Sequence, residues 1–386
     1  MIVNRRRYMG SVKNAKPYLK FTALEDGTFQ YAKALDYSLD GSTWTSLAAN
    51  TASPTIHTGE SIIWRGSYTP GNAANTFSST GRFNIEGDPR SVYAGDNFEN
   101  VAAKNYGLYQ MFRNCTMLVS ARDLLLPSTN IGTNFCMRMF QGCTALTDAP
   151  EVLPTTTLAS NCYSFMFSGC TSLITPPSIS AKTLANNCMY NMFENCSALT
   201  SAPSLPVTTL ANNCYQYMFY GCSSLTTPPS LPATTLANNC YDNMFTNCTS
   251  LTSTPIIAPT TVAQYCCRSM FSGCKSITSF NVSLPATTLY QYCYARMFQG
   301  CKEMVTAPVL PAFTLVQGSY YCMFYGCTKL NYIKALFTDA SATTCLEKWV
   351  NGVASSGTFV KNVNSTFSTR GESGIPTNWT IETASE

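Results

Sequence analysis

Charge is what this chain has least of. Only 11% of its 386 residues are Asp, Glu, Lys or Arg, 20 acidic against 24 basic, and there is one histidine. A formal charge of +4 is too small to suggest nucleic acid as a partner, and no broad basic face is visible in the sequence. The lone His57, between Ile56 and Thr58, is accompanied by no nucleophile signature, so catalysis is not expected. No Walker A motif or dinucleotide fingerprint occurs, and neither a cofactor nor a metal is expected. Runs of about 18 apolar residues are also missing, which argues against a transmembrane helix and membrane insertion. The opening MIVNRRRYMGSVKNAKPYLK has charges but no apolar stretch after them, unlike a secretory signal. The first cysteine is Cys115, so a lipobox is missing too, and the expectation is synthesis and folding in a cytoplasm.

What is abundant is repetition. The pairs Met111-Phe112, Met139-Phe140, Met166-Phe167, Met192-Phe193, Met218-Phe219, Met244-Phe245, Met270-Phe271, Met297-Phe298 and Met323-Phe324 recur with a period of about 26 residues, the signature of a solenoid whose units bury a core only by stacking. The 45% hydrophobic content is ample for that core. Nine of the 19 cysteines follow the anchor Met by four positions, from Cys115 and Cys143 to Cys301 and Cys327. A second series precedes it, including Cys136, Cys162, Cys188, Cys214, Cys240, Cys266 and Cys293. In a stack these form ladders at roughly 4.8 Å, each thiol with two equivalent neighbours, so no unique disulfide pairing is specified. Buried, reduced thiols acting as small hydrophobes are expected. The dominant interval is C-x7-C, with Cys266-Cys267 adjacent, which does not suit zinc.

In Asn213-Cys214-Tyr215-Gln216-Tyr217-Met218-Phe219 an Asn precedes a Cys and Met spaced i, i+4, which predicts a short helix beginning at an Asn cap. Each such helix is expected to stop at Asn114, Gly142, Gly169, Asn195, Gly221, Asn247, Gly273, Gly300 or Gly326, residues that tolerate a left-handed backbone. An apolar residue such as Leu146, Leu173 or Leu225 then starts a short strand cut off by a proline such as Pro177, Pro203 or Pro229. Thr-Thr-Leu returns the chain inward at Leu158, Leu210 and Leu289.

The motif M-F-x-[GN]-C-x-x-L-x-x-x-P…L-P-x-T-T-L-x-x-x-C-Y-x-x-M-F resembles the BspA-like (Treponema-type) leucine-rich repeat, in a lengthened form with Met in place of the family's usual Ala before Phe. The resemblance implies adhesion and recognition rather than catalysis, and commonly a secreted bacterial surface protein. Separately, Asn4-Arg5-Arg6-Arg7-Tyr8-Met9-Gly10 is similar to the N-termini of virion proteins of phages infecting gut Bacteroidales. That likeness implies a virion protein, folded in the host cytoplasm, whose remainder is an exchangeable recognition module.

The expected organisation is a basic arm over residues 1–20, an antiparallel β-sandwich over 21–100 that docks or caps, a leucine-rich-repeat solenoid of nine coils over 101–330, each with a short strand and short helix, and a small α+β cap over 331–386. Asp26-Gly27 and Asp40-Gly41 predict hairpins in the sandwich. The arm either docks or is a solvated tail, and Arg5, Arg6, Arg7 and Tyr8 are the candidate virion anchors. Tyr163, Tyr215, Tyr241 and Tyr294, with Met189 and Cys267 in equivalent places, either pack between neighbouring helices or form an aromatic ladder for a sugar or protein. Tyr190, Tyr217, Asp242, Arg268 and Arg296 before the anchor, and Gln141, Glu194, Tyr220 and Tyr325 after it, vary while the frame is held and are the candidate ligand-facing residues. The expected function is a non-enzymatic phage appendage (head fibre, decoration or tail-tip adhesin) on the virion surface. Its partners are other virion proteins through the arm and sandwich, and a bacterial surface glycan or protein through the solenoid; oligomeric state is open. The alternative is a secreted bacterial cell-surface adhesin.

Overall fold

The computed structural model describes residues 16–73, 75–129, 131–278 and 284–384; the candidate anchors Arg5, Arg6, Arg7 and Tyr8 lie outside the described residues. The N-terminal part contains β1 (Leu19–Ala23), β2 (Phe29–Tyr31), β3 (Leu35–Ser38), β4 (Thr45–Leu47), β5 (Ser61–Arg65), β6 (Phe77–Ser79) and β7 (Phe83–Gly87). Alternation of buried and partly buried residues along β1, β5 and β7 marks a sheet with one face more fully covered than the other. The cover is the β2–β6 ribbon, whose Phe29 and Phe77 pack against Phe21, Trp64 and Phe83. Asp40-Gly41 makes the expected hairpin between β3 and β4, with Gly41 at φ 78° and Asp40 accepting from the Ser42 and Thr43 amides. Asp26-Gly27 does not: β1 pairs with β5 and β7 while β2 pairs with β6, so this turn carries the chain from one sheet to the other.

The main sheet runs β4-β3-β5-β1-β7-β8, and its last strand, β8 (Leu118–Leu124), pairs parallel to β7 and belongs to the first solenoid coil. Sandwich and solenoid therefore share one sheet. They also share a core, because Phe77 stacks on Phe112 at 5.6 Å and Phe21 lies 5.9 Å from the same ring.

From there the chain winds about nine turns of a solenoid. The anchor Phe rings, from Phe112 to Phe324, form one column with neighbouring centroids 5.4–5.8 Å apart and planes within 10° of parallel. From Cys143 to Cys327 each anchor thiol donates to the carbonyl of the Phe in the preceding coil, as from Cys196 to Phe167 and from Cys222 to Phe193, both at 3.1 Å. All 19 cysteines are free and buried, as the ladder argument expects.

The segment expected to be a short helix takes another form. Over residues 161–170 the amide hydrogen bonds alternate: Cys162, Ser164, Met166, Ser168 and Cys170 each bond the carbonyl three residues back, while Asn161, Tyr163, Phe165, Phe167 and Gly169 bond carbonyls of the next coil. The result is a ladder of successive β-turns, stitched sideways like a strand. Every fourth residue is left-handed, as at Asn161 (φ 55°), Phe165 (φ 56°) and Gly169 (φ 75°). An α-helix satisfies its amides internally and leaves none for a neighbour; the turn ladder shares them between coils. The Asn expected to cap a helix is thus present for its tolerance of a left-handed backbone. The expected strand is reduced too. Among the described residues of coils two to eight, only β9 (Val152–Leu153) and β10 (Ser178–Ile179) qualify; elsewhere single bridges such as Ser201 to Thr227 hold the edge. The prolines in this stretch have no amide to donate.

Beyond residue 330 the period continues in degenerate form. Strands β11 (Tyr332–Ala335), β12 (Thr358–Lys361) and β13 (Thr380–Thr383) pair in parallel, as successive coils do. Cys345, Trp349 and Gly352 stand where a coil has its Cys, Met and Gly, with Gly352 at φ 76° and the Phe324 amide bonded to the Trp349 carbonyl. The α+β cap expected over 331–386 has no helix among its described residues; residues 343–350 are a further run of turns. Trp349 closes the Phe column at 6.1 Å from Phe324, and its indole donates to the Gly374 carbonyl.

Candidate turn-face recognition site

The turn ladder gives each coil two recurring positions on one face; of these Gln110, Ser168, Asn191, Thr246, Ser269 and Cys322 are buried and the others partly or fully exposed. Its left-handed residue just before the Met and the residue two places after that Met form two columns along the solenoid. In the first column stand Gln110, Arg138, Phe165, Asn191, Tyr217, Asn243, Ser269 and Arg296, all at φ between 54° and 60°. The second holds Arg113, Gln141, Ser168, Glu194, Tyr220, Thr246, Ser272, Gln299 and Tyr325. The amide of each second-column residue bonds the carbonyl of its first-column partner, as from Tyr220 to Tyr217 at 3.1 Å. The columns are therefore locked together and to the coils beside them.

The candidate residues divide sharply here. Tyr163, Tyr215, Tyr241 and Tyr294 are at most 2% exposed, and Tyr215 stacks on Tyr241 at 6.2 Å; they pack between coils and cannot face a ligand. Burial pushes their phenols well above the usual tyrosine range. Their sequence position, directly after an inward Cys, gives them the turn that tucks the next side chain inside. Tyr190, Tyr217 and Tyr220 are half-buried and meet edge to face, at 5.9 Å for both pairs, and Phe165 extends the stripe at 5.3 Å from Tyr190. Partial burial raises the phenol pKa of Tyr190 and Tyr217. Tyr325 is 39% exposed.

Asp242 has a fully buried carboxylate and does not itself face a ligand. It accepts from Arg268 Nε at 3.0 Å and Nη2 at 2.8 Å, from Gln216 Nε2 at 2.8 Å and from Asn243 Nδ2 at 2.7 Å. Those four bonds fix the half-exposed Arg268, which lies 4.7 Å over the Tyr265 ring. Asp242 hydrogen-bonding raises the Arg268 pKa still further, so the guanidinium is permanently charged. Arg296 is exposed and sits 5.3 Å over Tyr321; Arg138 sits 4.7 Å over Phe165.

Several members of this face escape sequence reasoning. Phe165, Tyr265 and Tyr292 line it, the last two stacked at 5.3 Å, and Tyr292 lies against Gly318, whose added Cβ would stand 2.2 Å from the ring. Their common signal is a spacing of four or eight from the corner Gly169, Gly273 or Gly300, the interval at which the left-handed position recurs. A second outward surface, the rows Thr208-Thr209 and Thr234-Thr235 with their equivalents, is exposed but nearly uniform from coil to coil. Uniformity gives it little to discriminate with. Among the described residues no group of three or more His, Cys, Asp or Glu could hold a metal ion, and no helix is long and apolar enough to cross a membrane.

The family model of the BspA type leucine-rich repeat region matches residues 108–241 and 189–305, six copies in all, together just over half of the chain. Among solved structures the chain is similar to a leucine-rich repeat protein from Bacteroides ovatus ATCC 8483, at 15% identity over 82% of this chain and 88% of that one, TM-score 0.35. It is also similar to a leucine-rich cell surface protein from Faecalibacterium prausnitzii A2-165, at 16% identity over 70% and 94%, TM-score 0.26. No curated protein matches.

Proposed function

Because the chain belongs to the BspA type leucine-rich repeat family, we propose that it is a recognition protein that grips a bacterial surface molecule through the two turn-face columns. The observation that carries this reading is contrast within one frame. Phe, Met, Cys and Leu positions repeat almost without change and are buried, whereas the partly or fully exposed members of the two columns change at nearly every coil and include Phe165, Tyr217, Tyr220, Tyr325 and three arginines, side chains favoured at binding hot spots. A stack locked by lateral amide bonds loses little freedom on binding, which favours affinity.

We place the protein on a phage particle as an appendage, held by its N-terminal region with the solenoid outward. The Asn4–Gly10 peptide and the shared sheet that couples the sandwich rigidly to coil one support this arrangement. The experiment is twofold. Purified particles are expected to contain the protein, and the purified protein is expected to bind bacterial cells in a saturable way. Recovery from bacterial outer surfaces with none in particles would place it instead as a cell-surface adhesin, and absence of saturable binding to any cell tested would remove the recognition role itself.

A further inference from the structure

We propose that the turn face carries two oxyanion stations, and that they hold a linear acidic polysaccharide lying along the solenoid axis; this rests on the recognition role just given. The first station is a checkerboard made by coils one and two. Gln110 and Arg138 are successive members of the first column, and Arg113 and Gln141 of the second. Within coils, the Arg113 amide bonds the Gln110 carbonyl at 3.0 Å and the Gln141 amide bonds the Arg138 carbonyl at 3.2 Å. Between coils, the Asn114 amide bonds the Gln141 carbonyl at 2.7 Å. By backbone position, two arginines thus occupy one diagonal and two glutamines the other.

Among the described residues neither Arg113 nor Arg138 forms an ion pair, in contrast with Arg268, which Asp242 neutralises at 2.8 Å. The Nε atoms of both arginines are buried without a hydrogen-bond partner, and so is Oε1 of Gln141, an acceptor that suits a sugar hydroxyl rather than the oxyanion. Leaving charged donors unpaired is costly, and an oxyanion is the group that satisfies them best. The rest of the site is firmly held. Gln110, 4% exposed, donates to Tyr109 Oη at 2.7 Å and accepts from Arg113 Nη1 at 3.4 Å, while the Phe165 ring supports the Arg138 guanidinium. Both arginines remain partly exposed.

The hexapeptide Arg-Met-Phe-Gln-Gly-Cys of residues 138–143 recurs at 296–301. It sets a second Arg/Gln pair, Arg296 and Gln299, in the same two columns six coils on, with Arg296 supported by Tyr321 and also without an ion pair among the described residues. At roughly 4.8–5 Å per coil the stations lie roughly 30 Å apart. A small anion can occupy one of them only. A chain bearing carboxylates at intervals can occupy both, crossing the Tyr190, Tyr217 and Tyr220 stripe between them, and such bridging raises the apparent affinity beyond either station alone. Hydroxyl, carboxamide and aromatic groups, with one carboxylate at Glu194 that accepts from Ser168 Oγ, stand between two cationic ends and suit sugars, whose ring faces pack on aromatics and whose hydroxyls pair with amides and carboxylates.

The probes are polygalacturonate, its fully methyl-esterified form, free galacturonate and dextran sulfate, tested on the full chain, alongside binding to bacterial cells. Expected are tighter binding of the polymer than of the ester or the monomer, and a loss of about tenfold or more in Arg138→Gln, Arg113→Gln or Arg296→Gln, with unchanged thermal unfolding. Arg138→Lys keeps the charge but not the fork, so it should keep the salt dependence and lose affinity. Equal binding of acid and ester, or full affinity in Arg113→Gln/Arg138→Gln, overturns the stations; dextran sulfate binding that ignores all three arginines does the same. If Tyr217→Ala weakens binding to cells while the arginine variants do not, recognition by the turn face stands and the acidic ligand falls. If neither changes it, the turn-face reading falls first.

Discussion

The cysteine that follows each anchor pair shows how one atom can settle a position. A carbonyl on the inner wall of each coil already accepts from its own chain, as Phe167 does from the Cys170 amide at 3.0 Å, and it also receives the thiol of the next coil. Serine would supply a stronger donor with a dehydrated hydroxyl, and alanine would leave a gap and no donor. Cys222→Ala is expected to destabilise by about 1–2 kcal/mol, read by denaturant unfolding. Burial pushes Cys115, Cys188, Cys248 and Cys327 up to about 12, against about 8.5 for a free thiol. The folded state therefore holds these protons where the unfolded state releases them. Stability is fully present below about pH 8.5 and is lost as pH rises toward 12, at about 1.4 kcal/mol per pH unit for each titrating thiol. The melting temperature should be flat from about pH 6 to 8 and fall steeply above 9, and Ellman's reagent at pH 8 should label thiols only after unfolding. Rapid labelling of the native protein would show the ladders to be open. Asp242→Ala strands a half-exposed Arg268 and should cost about 2–3 kcal/mol, less than the 3–5 of a fully buried pair.

The coil is where sequence and structure part company. Spacing of Asn, Cys, Met and Gly by fours reads as a helix because inward residues at i and i+4 fit one helical face, yet the same spacing serves a turn ladder in which every fourth residue is left-handed. The corner residues Asn114 through Gly326 were legible, since Gly and Asn announce that conformation. Phe165, Tyr217 and Arg296 were not, because nothing about an aromatic or arginine signals φ near 56°. That conformation costs about 1–2 kcal/mol in a residue with a Cβ. Lys348, exposed at φ 51°, tests this with little packing to lose: Lys348→Gly should raise stability by about 1 kcal/mol. Gly318→Ala should lower it by a similar amount, since its Cβ must displace Tyr292. Opposite signs at the two sites in thermal melts would support the turn ladder, and two losses would count against it.

In the whole molecule, one aromatic column runs from Phe77 in the sandwich to Trp349 near the end, so both caps are continuations of the stack. The period made the nine coils legible; the continuation past residue 330 was hidden because Trp349 and Val350 replace Met-Phe, though Cys345 and Gly352 keep their places. The buried tyrosines were ambiguous in sequence since an aromatic suits both a core and a binding face, and only the position of the turn resolves it. Deleting one full period, residues 213–238, should leave a shorter folded solenoid, whereas deleting half a period should not, as judged by circular dichroism and cooperative melting. The recognition role is tested most directly by comparing binding to bacterial cells of two folded variants, Tyr190→Ala/Tyr217→Ala/Tyr220→Ala on the turn face and Thr208→Ser/Thr209→Ser/Thr234→Ser/Thr235→Ser on the threonine rows. Loss of about tenfold or more in the tyrosine variant, with the threonine variant unchanged, is the expected result; full binding by the tyrosine variant, or loss confined to the threonine variant, would contradict it.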